Sequence, residues 1–283
     1  MNLKVAKKVE SSVKNEDKTI KYLFETEDRK YFEGVLIFED TVTLCTSSQI
    51  GCPVSCQFCR TGRGKFERNL RADEIANQVK LIEKYEGEEI ETVSYMGMGE
   101  PLLNIENVIK SMQKLDKNYK ISTTLVPEQI KKLAKIDIPI DLYVSLHAAT
   151  EEKRKKLIPR YNSSIEEIIE EINEFVSSKS PINIWYLLLN EFNDSVNDAK
   201  ELLKIVNKIK NVNCIYLKEY CETGTGFERS PKEKVENFMR IIKRSDFSVS
   251  YSVSEGQNIK AGCGQLKKNH KKIQRNKTRV YNT

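Results

Sequence analysis

"TLCTSSQIGCPVSCQFCRTG", residues 43 to 62, decides how the rest of the chain is read. It starts inside a β-rich run (41–48) and ends in a loop that packs Cys52, Cys56 and Cys59 into eight positions. Three chemistries begin this way. Disulfides fit badly, because three cysteines leave one odd. Structural zinc wants four ligands, often as two C-x-x-C knuckles, and the two histidines, His147 and His270, are remote in sequence. An iron–sulfur cluster fits best. Thiolates are its usual ligands, and three of them on one loop hold three irons of a [4Fe–4S] cube and leave the fourth iron open.

The surroundings of the loop set the fold class. β-rich runs recur at 41–48, 90–96, 119–124, 140–147, 182–189 and 213–220, with helical patterns at 71–85, 104–116, 127–135, 164–177, 195–209 and 231–244. In "SSIEEIIEEINEFV", Ile165, Ile168, Ile169, Ile172 and Val176 make one apolar stripe opposite a glutamate face, the mark of an amphipathic helix. Asp194 or Ser195 is placed to cap the next helix. Six β-then-α units imply a parallel sheet with helices outside, either an open doubly wound sheet or a barrel. Both architectures carry their site at the C-terminal ends of the strands, where Glu100, Ser122, Ser145 and His147 fall. Residues 1–40 read as a short β-containing extension, 41–256 as the α/β domain, and 257–283 as a C-terminal segment with a basic tail.

Composition narrows the setting. With 39% hydrophobic and 31% charged residues and no long apolar run, the chain reads as a soluble globular protein with no membrane partner. Its polar N-terminus holds no secretory h-region, so a cytoplasmic location is expected, and there seven cysteines argue for metal or redox chemistry. The net charge of +6 is a C-terminal property. Without Lys267, Lys268, Lys271, Lys272, Arg275, Lys277 and Arg279, 40 basic residues face 41 acidic ones. Such a tail either binds phosphates by counterion release or is a solvated, frayed end.

Several motifs now converge. The C-x3-C-x2-C spacing, with Phe58 before the last cysteine, is the pattern of radical S-adenosylmethionine (SAM) enzymes. "SYMGMGEP" (94–101) follows the second β-run and resembles the GGE-like element that holds the SAM amino group in those enzymes, here Gly99 and Glu100. Together with "KFERNL", "VSLHA" and "AGCGQL", in the same order over residues 20 to 268, these stretches resemble the RlmN/Cfr family of radical SAM RNA methyltransferases.

The resemblance carries specific implications. The fold would be a partial (β/α)6 TIM-like barrel. Cys52, Cys56 and Cys59 would hold the [4Fe–4S] cluster. Gly99, Glu100, Ser122, Ser145, Leu146, His147 and Asn193 match SAM-contacting positions. Cys263, in the C-G-Q motif, would accept a methyl group from one SAM, and Cys45 would resolve the RNA adduct by forming a disulfide with Cys263. Glu33 matches a glutamate treated as a proton acceptor. The implied partners are ribosomal RNA, with tRNA beside it, and an electron donor such as flavodoxin or ferredoxin; a monomer is expected.

Some parts depart from the family. On this reading the chain is expected to lack the family's N-terminal helical domain, "LKEYCETGTG" replaces a P-x-N-P segment, and Trp185 stands where an acidic residue is common. The chemistry is retained while RNA-facing parts differ, which keeps two rivals open: the same two-cysteine chemistry on a smaller acceptor, and a non-catalytic iron–sulfur RNA-binding relic. Retention of all five key cysteines speaks against the relic. Cys214 is expected in the core and Cys221 near the substrate pocket or incidental.

Overall fold

The computed structural model describes residues 3–10, 18–126, 128–161, 163–176 and 181–267. The basic tail beyond Lys267, with His270, lies outside them, as do Pro127 and the side chain of Val176. The strands are β1 (Lys4–Glu10), β2 (Lys18–Glu25), β3 (Tyr31–Phe38), β4 (Val42–Cys45), β5 (Gln49–Ile50), β6 (Arg68–Asn69), β7 (Thr92–Tyr95), β8 (Asn118–Thr123), β9 (Asp141–Ser145), β10 (Ile182–Leu188), β11 (Val212–Glu219) and β12 (Ser248–Ser252). The helices are α1 (Ala72–Glu86), α2 (Ile105–Met112), α3 (Ile130–Ala134), α4 (Glu151–Leu157), α5 (Ile165–Val176), α6 (Val196–Val206) and α7 (Lys232–Ile242).

Ten strands form one sheet in the order β1-β2-β3-β4-β7-β8-β9-β10-β11-β12. From β4 to β12 every pair is parallel. Spatial order follows chain order without reversal, so there is no switch point of the doubly wound kind. Right-handed crossovers then put every helix on the same side, and the sheet curls into an open, partial barrel. β12 supplies a seventh parallel strand. In residues 1–40, β1, β2 and β3 extend the same sheet in antiparallel fashion.

The two faces of the sheet differ as their sequence alternation requires. Leu44, Val93, Ile121, Leu142, Val144, Ile184, Ile215 and Leu217 point outward and are at most 1% exposed under the helices. On α5, Ile165, Ile168, Ile169 and Ile172 are buried while Glu166, Glu167 and Glu170 are exposed, and each buried isoleucine contributes about 2 kcal/mol. Ser195 caps α6, its Oγ accepting from the Asp198 amide at 3.1 Å. The inner face carries Cys45, Ser122, Tyr143, Trp185, Tyr216, Lys218 and Ser250, all half-buried. The lumen is therefore polar and aromatic and not filled by aliphatic layers as in a closed barrel.

Candidate active site

The cysteine loop leaves β5 and is fixed by backbone contacts on three sides. The Gln57 amide donates to the Leu157 carbonyl at 2.8 Å, and Thr223 Oγ1 donates to the Phe58 carbonyl at 2.9 Å. The Arg60 amide donates to the Gly264 carbonyl at 2.8 Å, and Thr61 Oγ1 to the Leu266 carbonyl at 2.7 Å. Gly62 closes the loop so tightly that a Cβ there would meet the Cys56 nitrogen at 2.8 Å. Cys52 and Cys56 are buried and Cys59 is half-buried.

Burial, followed by their neighbouring thiols, pushes Cys52 and Cys56 well above the ordinary thiol range. Burial also raises Cys59, opposed by hydrogen bonds from the Gly62 and Thr61 amides. The Val54 and Ser55 amides point at Cys52 in the same way. Amides aimed at sulfur stabilise thiolates, and clustered buried thiols gain from sharing a cationic partner. Among the described residues, no three His, Cys, Asp or Glu side chains close on a point where one metal ion would sit, as mononuclear zinc requires. A cube that takes one thiolate per iron has no such need, and the three-thiol donor set with its amide shell fits a [4Fe–4S] cluster.

The remaining predicted residues ring the same end of the barrel. Glu100 is fully buried, and its carboxylate accepts from the Leu102 amide (3.1 Å), Thr123 Oγ1 (2.6 Å), the Thr124 amide (3.0 Å) and Thr124 Oγ1 (3.1 Å). Burial nevertheless raises its carboxyl above the usual range. Gly99 before it has φ of +110°, and a Cβ there would meet Gln49 Cβ at 2.7 Å, so only glycine suits this turn. Ser122 and Ser145, on adjacent strands, share a hydrogen bond of 2.9 Å across the lumen face.

Leu146 is buried and its amide bonds the Trp185 carbonyl at 3.0 Å. His147 accepts the Leu187 amide on Nδ1 at 3.2 Å and packs edge-on to Phe58, with centroids 5.0 Å apart. Burial draws its imidazole down to about 3, so it is neutral. Asn193 is fully buried and spends its amide on the His147 and Leu187 carbonyls (both 2.7 Å) and the Leu189 amide (2.7 Å). His147 and Asn193 thus tie the backbone after β9 to the end of β10.

Cys45 ends β4 on the lumen face, opposite Val35 and beside Ser94. Burial, then the neighbouring Cys263, pushes its thiol up to about 12. Cys263 is open to solvent at its surface, yet desolvation by the surrounding chain, then Cys221, pushes its thiol up to about 12 as well. All seven cysteines are free thiols. The expected bond between Cys45 and Cys263 is therefore not a standing feature of the fold, and desolvation keeps both sulfurs protonated. Glu33 is buried on β3. Its Oε2 accepts the Lys267 amide at 2.7 Å and its Oε1 lies 3.5 Å from Lys21 Nζ. Burial raises its carboxyl, and Lys21 opposes that shift.

Cys221, expected near the substrate pocket or incidental, lies against the Cys263 turn, and several threonines carried no signal in the sequence. Cys221 is buried and accepts from the Cys263 amide and the Ser254 hydroxyl, so it holds the Cys263 turn. A Cβ on Gly262 would meet Cys221 Sγ at 2.9 Å. Thr123 and Thr124, which orient Glu100, and Thr61, which ties the two cysteine loops, looked like ordinary strand-end and loop residues.

A three-thiol loop opening the first crossover of a partial parallel barrel defines a radical SAM protein, and the Radical SAM superfamily profile matches residues 46–206. The chain is 41% identical over 278 residues to the probable dual-specificity RNA methyltransferase RlmN of Pseudothermotoga lettingae, covering 94% of this chain and 80% of that one. It belongs to the RlmN family of radical SAM RNA methyltransferases. The dual-specificity RNA methyltransferase RlmN of Campylobacter hominis is 38% identical, over 94% of this chain and 81% of that one. A radical SAM methyltransferase from Sphaerobacter thermophilus has the same fold at a TM-score of 0.87 and 30% identity, over 94% and 82% of the two chains. Among the described residues no helix is long and apolar enough to cross a membrane.

Proposed function

We propose that the protein methylates an aromatic carbon of adenine, C2 or C8, in RNA, with Cys263 as the methyl carrier. Large-subunit ribosomal RNA is the favoured acceptor and tRNA the second. The observation that supports this most is the placement of Cys263. Its turn is bonded to the cluster loop through Arg60–Gly264 and Thr61–Leu266, and its thiol is near enough to Cys45 to act on it electrostatically.

The residue types suit the chemistry. An adenine C–H carbon is a poor nucleophile, so direct displacement of a SAM methyl by the base fails. A thiolate succeeds. When bound, the [4Fe–4S] cluster and SAM, reduced by an electron donor of the flavodoxin or ferredoxin class, supply a methyl group and a carbon radical. Cys52, Cys56 and Cys59 would hold the cluster. Gly99, Glu100, Ser122, Ser145, Leu146, His147 and Asn193 would shape the SAM cleft, with Glu100 facing the methionine ammonium. Cys263 takes the methyl and loses its proton. Cys45 would release the product by bonding to the Cys263 sulfur as the S–C bond of the RNA adduct breaks and the departing carbon takes up a proton, and the electron donor would then return the pair to thiols. Glu33 lies on the same sheet face as Cys45, where it can receive a proton.

The acceptor base would enter the open lumen. There Tyr143 and Trp185 lie 5.4 Å apart, Tyr143 and Tyr216 5.5 Å apart, and Lys218 Nζ stands 5.5 Å from the Trp185 ring. Lys218 also acts electrostatically on Cys263. Single unstacked bases are read on such aromatic surfaces. Mass mapping of methyladenosines in rRNA and tRNA, with and without the gene, tests the function. Loss of a C2- or C8-methyladenosine is expected; an unchanged RNA map with an altered small molecule contradicts it.

A further inference from the structure

Arg154, on α4, is fully buried, and among the described residues no carboxylate forms an ion pair with it. Nη1 donates to the carbonyls of Ser145 (3.3 Å) and Leu146 (2.7 Å), and Nη2 to that of Thr124 (2.6 Å). These carbonyls stand at the C-terminal ends of β8 and β9, so the guanidinium spans the two strands that carry Ser122 and Ser145. Its Nε–H has no partner. The ion pairs of α4 use Lys153 and Lys156, with Asp198 and Glu152; among the described residues none uses Arg154. A cation held this way is costly unless an anion shares its burial.

The same helix supports the cysteine loop. The Leu157 carbonyl accepts the Gln57 amide, and Leu157 and Ile158 pack with Cys52, Cys56 and Phe58. Burial draws the guanidinium down to about 10, and the group that most opposes this is Cys56, ahead of Glu151 and Glu100. Glu100 is already committed to four donors of its own. A cube of charge 2+ held by three thiolates carries a net charge of −1, and one more negative charge once reduced.

We propose that Arg154 is the buried counter-charge of the cluster held by Cys52, Cys56 and Cys59, a positioning residue that also fixes the ends of β8 and β9 and favours the reduced state. This rests on the cluster reading above. A cation close beneath the loop stabilises the more negative state, so removing it makes reduction harder.

The test uses anaerobically reconstituted wild type, Arg154→Gln and Arg154→Lys, titrated with a low-potential chemical reductant while the reduced cluster is followed by electron paramagnetic resonance. In Arg154→Gln the reduction equilibrium falls about tenfold or more, a potential about 59 mV more negative for a one-electron couple. Arg154→Lys stays at the wild-type potential with a lower Tm. Cluster loading also raises the Tm of Arg154→Gln less than that of wild type. A merely structural clamp lowers the apo and loaded Tm equally and leaves the potential unchanged; that result overturns the proposal. Should Arg154→Gln not fold, Arg154→Lys decides, because a tenfold shift in its reduction equilibrium contradicts a role for charge. A wild-type protein that takes up no reducible cluster sinks the cofactor reading instead.

Discussion

The carbonyl of Gly264 accepts the amide of Arg60 at 2.8 Å, which fixes the turn bearing Cys263 to the loop bearing Cys59. Thr61 Oγ1 repeats the tie at Leu266, and Gln265 Nε2 anchors the same turn to the Glu222 carbonyl at 2.9 Å. Because the first contact is backbone to backbone, it does not depend on which side chains line the site. The Cys263 turn and the three-cysteine loop are thus one mechanical unit, and their spacing is set by the fold.

If Cys45 is the resolving thiol, Cys45→Ala stalls after the RNA adduct forms. The variant should still load a cluster and cleave SAM, while a denaturing gel shows protein covalently attached to RNA. Turnover at the wild-type rate without a crosslink contradicts the two-thiol scheme.

His147 gives a pH dependence with a definite sign. Burial lowers its folded-state value to about 3 from an ordinary 6.5. The neutral ring is matched to the fold above pH 6.5, and stability falls as the unfolded chain gains a proton between 6.5 and 3. Relative to His147→Gln, the apo wild type should lose about 2 kcal/mol between pH 7 and pH 5 in urea melts. An equal pH response of the two proteins contradicts a buried neutral imidazole.

Trp185 separates acceptor binding from radical initiation. Base–aromatic stacking is worth about 1–3 kcal/mol by alanine substitution, so Trp185→Ala should weaken RNA binding by about tenfold. Reductive SAM cleavage in the absence of RNA should keep its wild-type rate. Lost SAM cleavage would place Trp185 in the cofactor cleft.

The parallel sheet and the cluster loop were legible because their signals are local: alternating β and helical periods, and three cysteines at fixed spacing. The same holds for the Ser195 cap and the apolar stripe of α5. Arg154 was not legible, since "EEKRKKL" reads as a solvated charge run, and only packing shows that one of its cations turns inward. Nor did a period reveal that β1 to β3 continue the barrel sheet, because edge pairing is set by tertiary contacts. The bonds by which His147 and Asn193 tie the ends of β9 and β10 likewise needed their backbone partners to be seen.

The central claim, that Cys263 carries the methyl group, is tested most directly by mass spectrometry of the tryptic peptide containing Cys263. Reconstituted protein is first incubated with methyl-labelled SAM and then given RNA. The account predicts one labelled methyl on Cys263 before RNA is added, its loss on turnover, and no labelled RNA from Cys263→Ala. Methylated RNA produced while Cys263 never bears the label would contradict it.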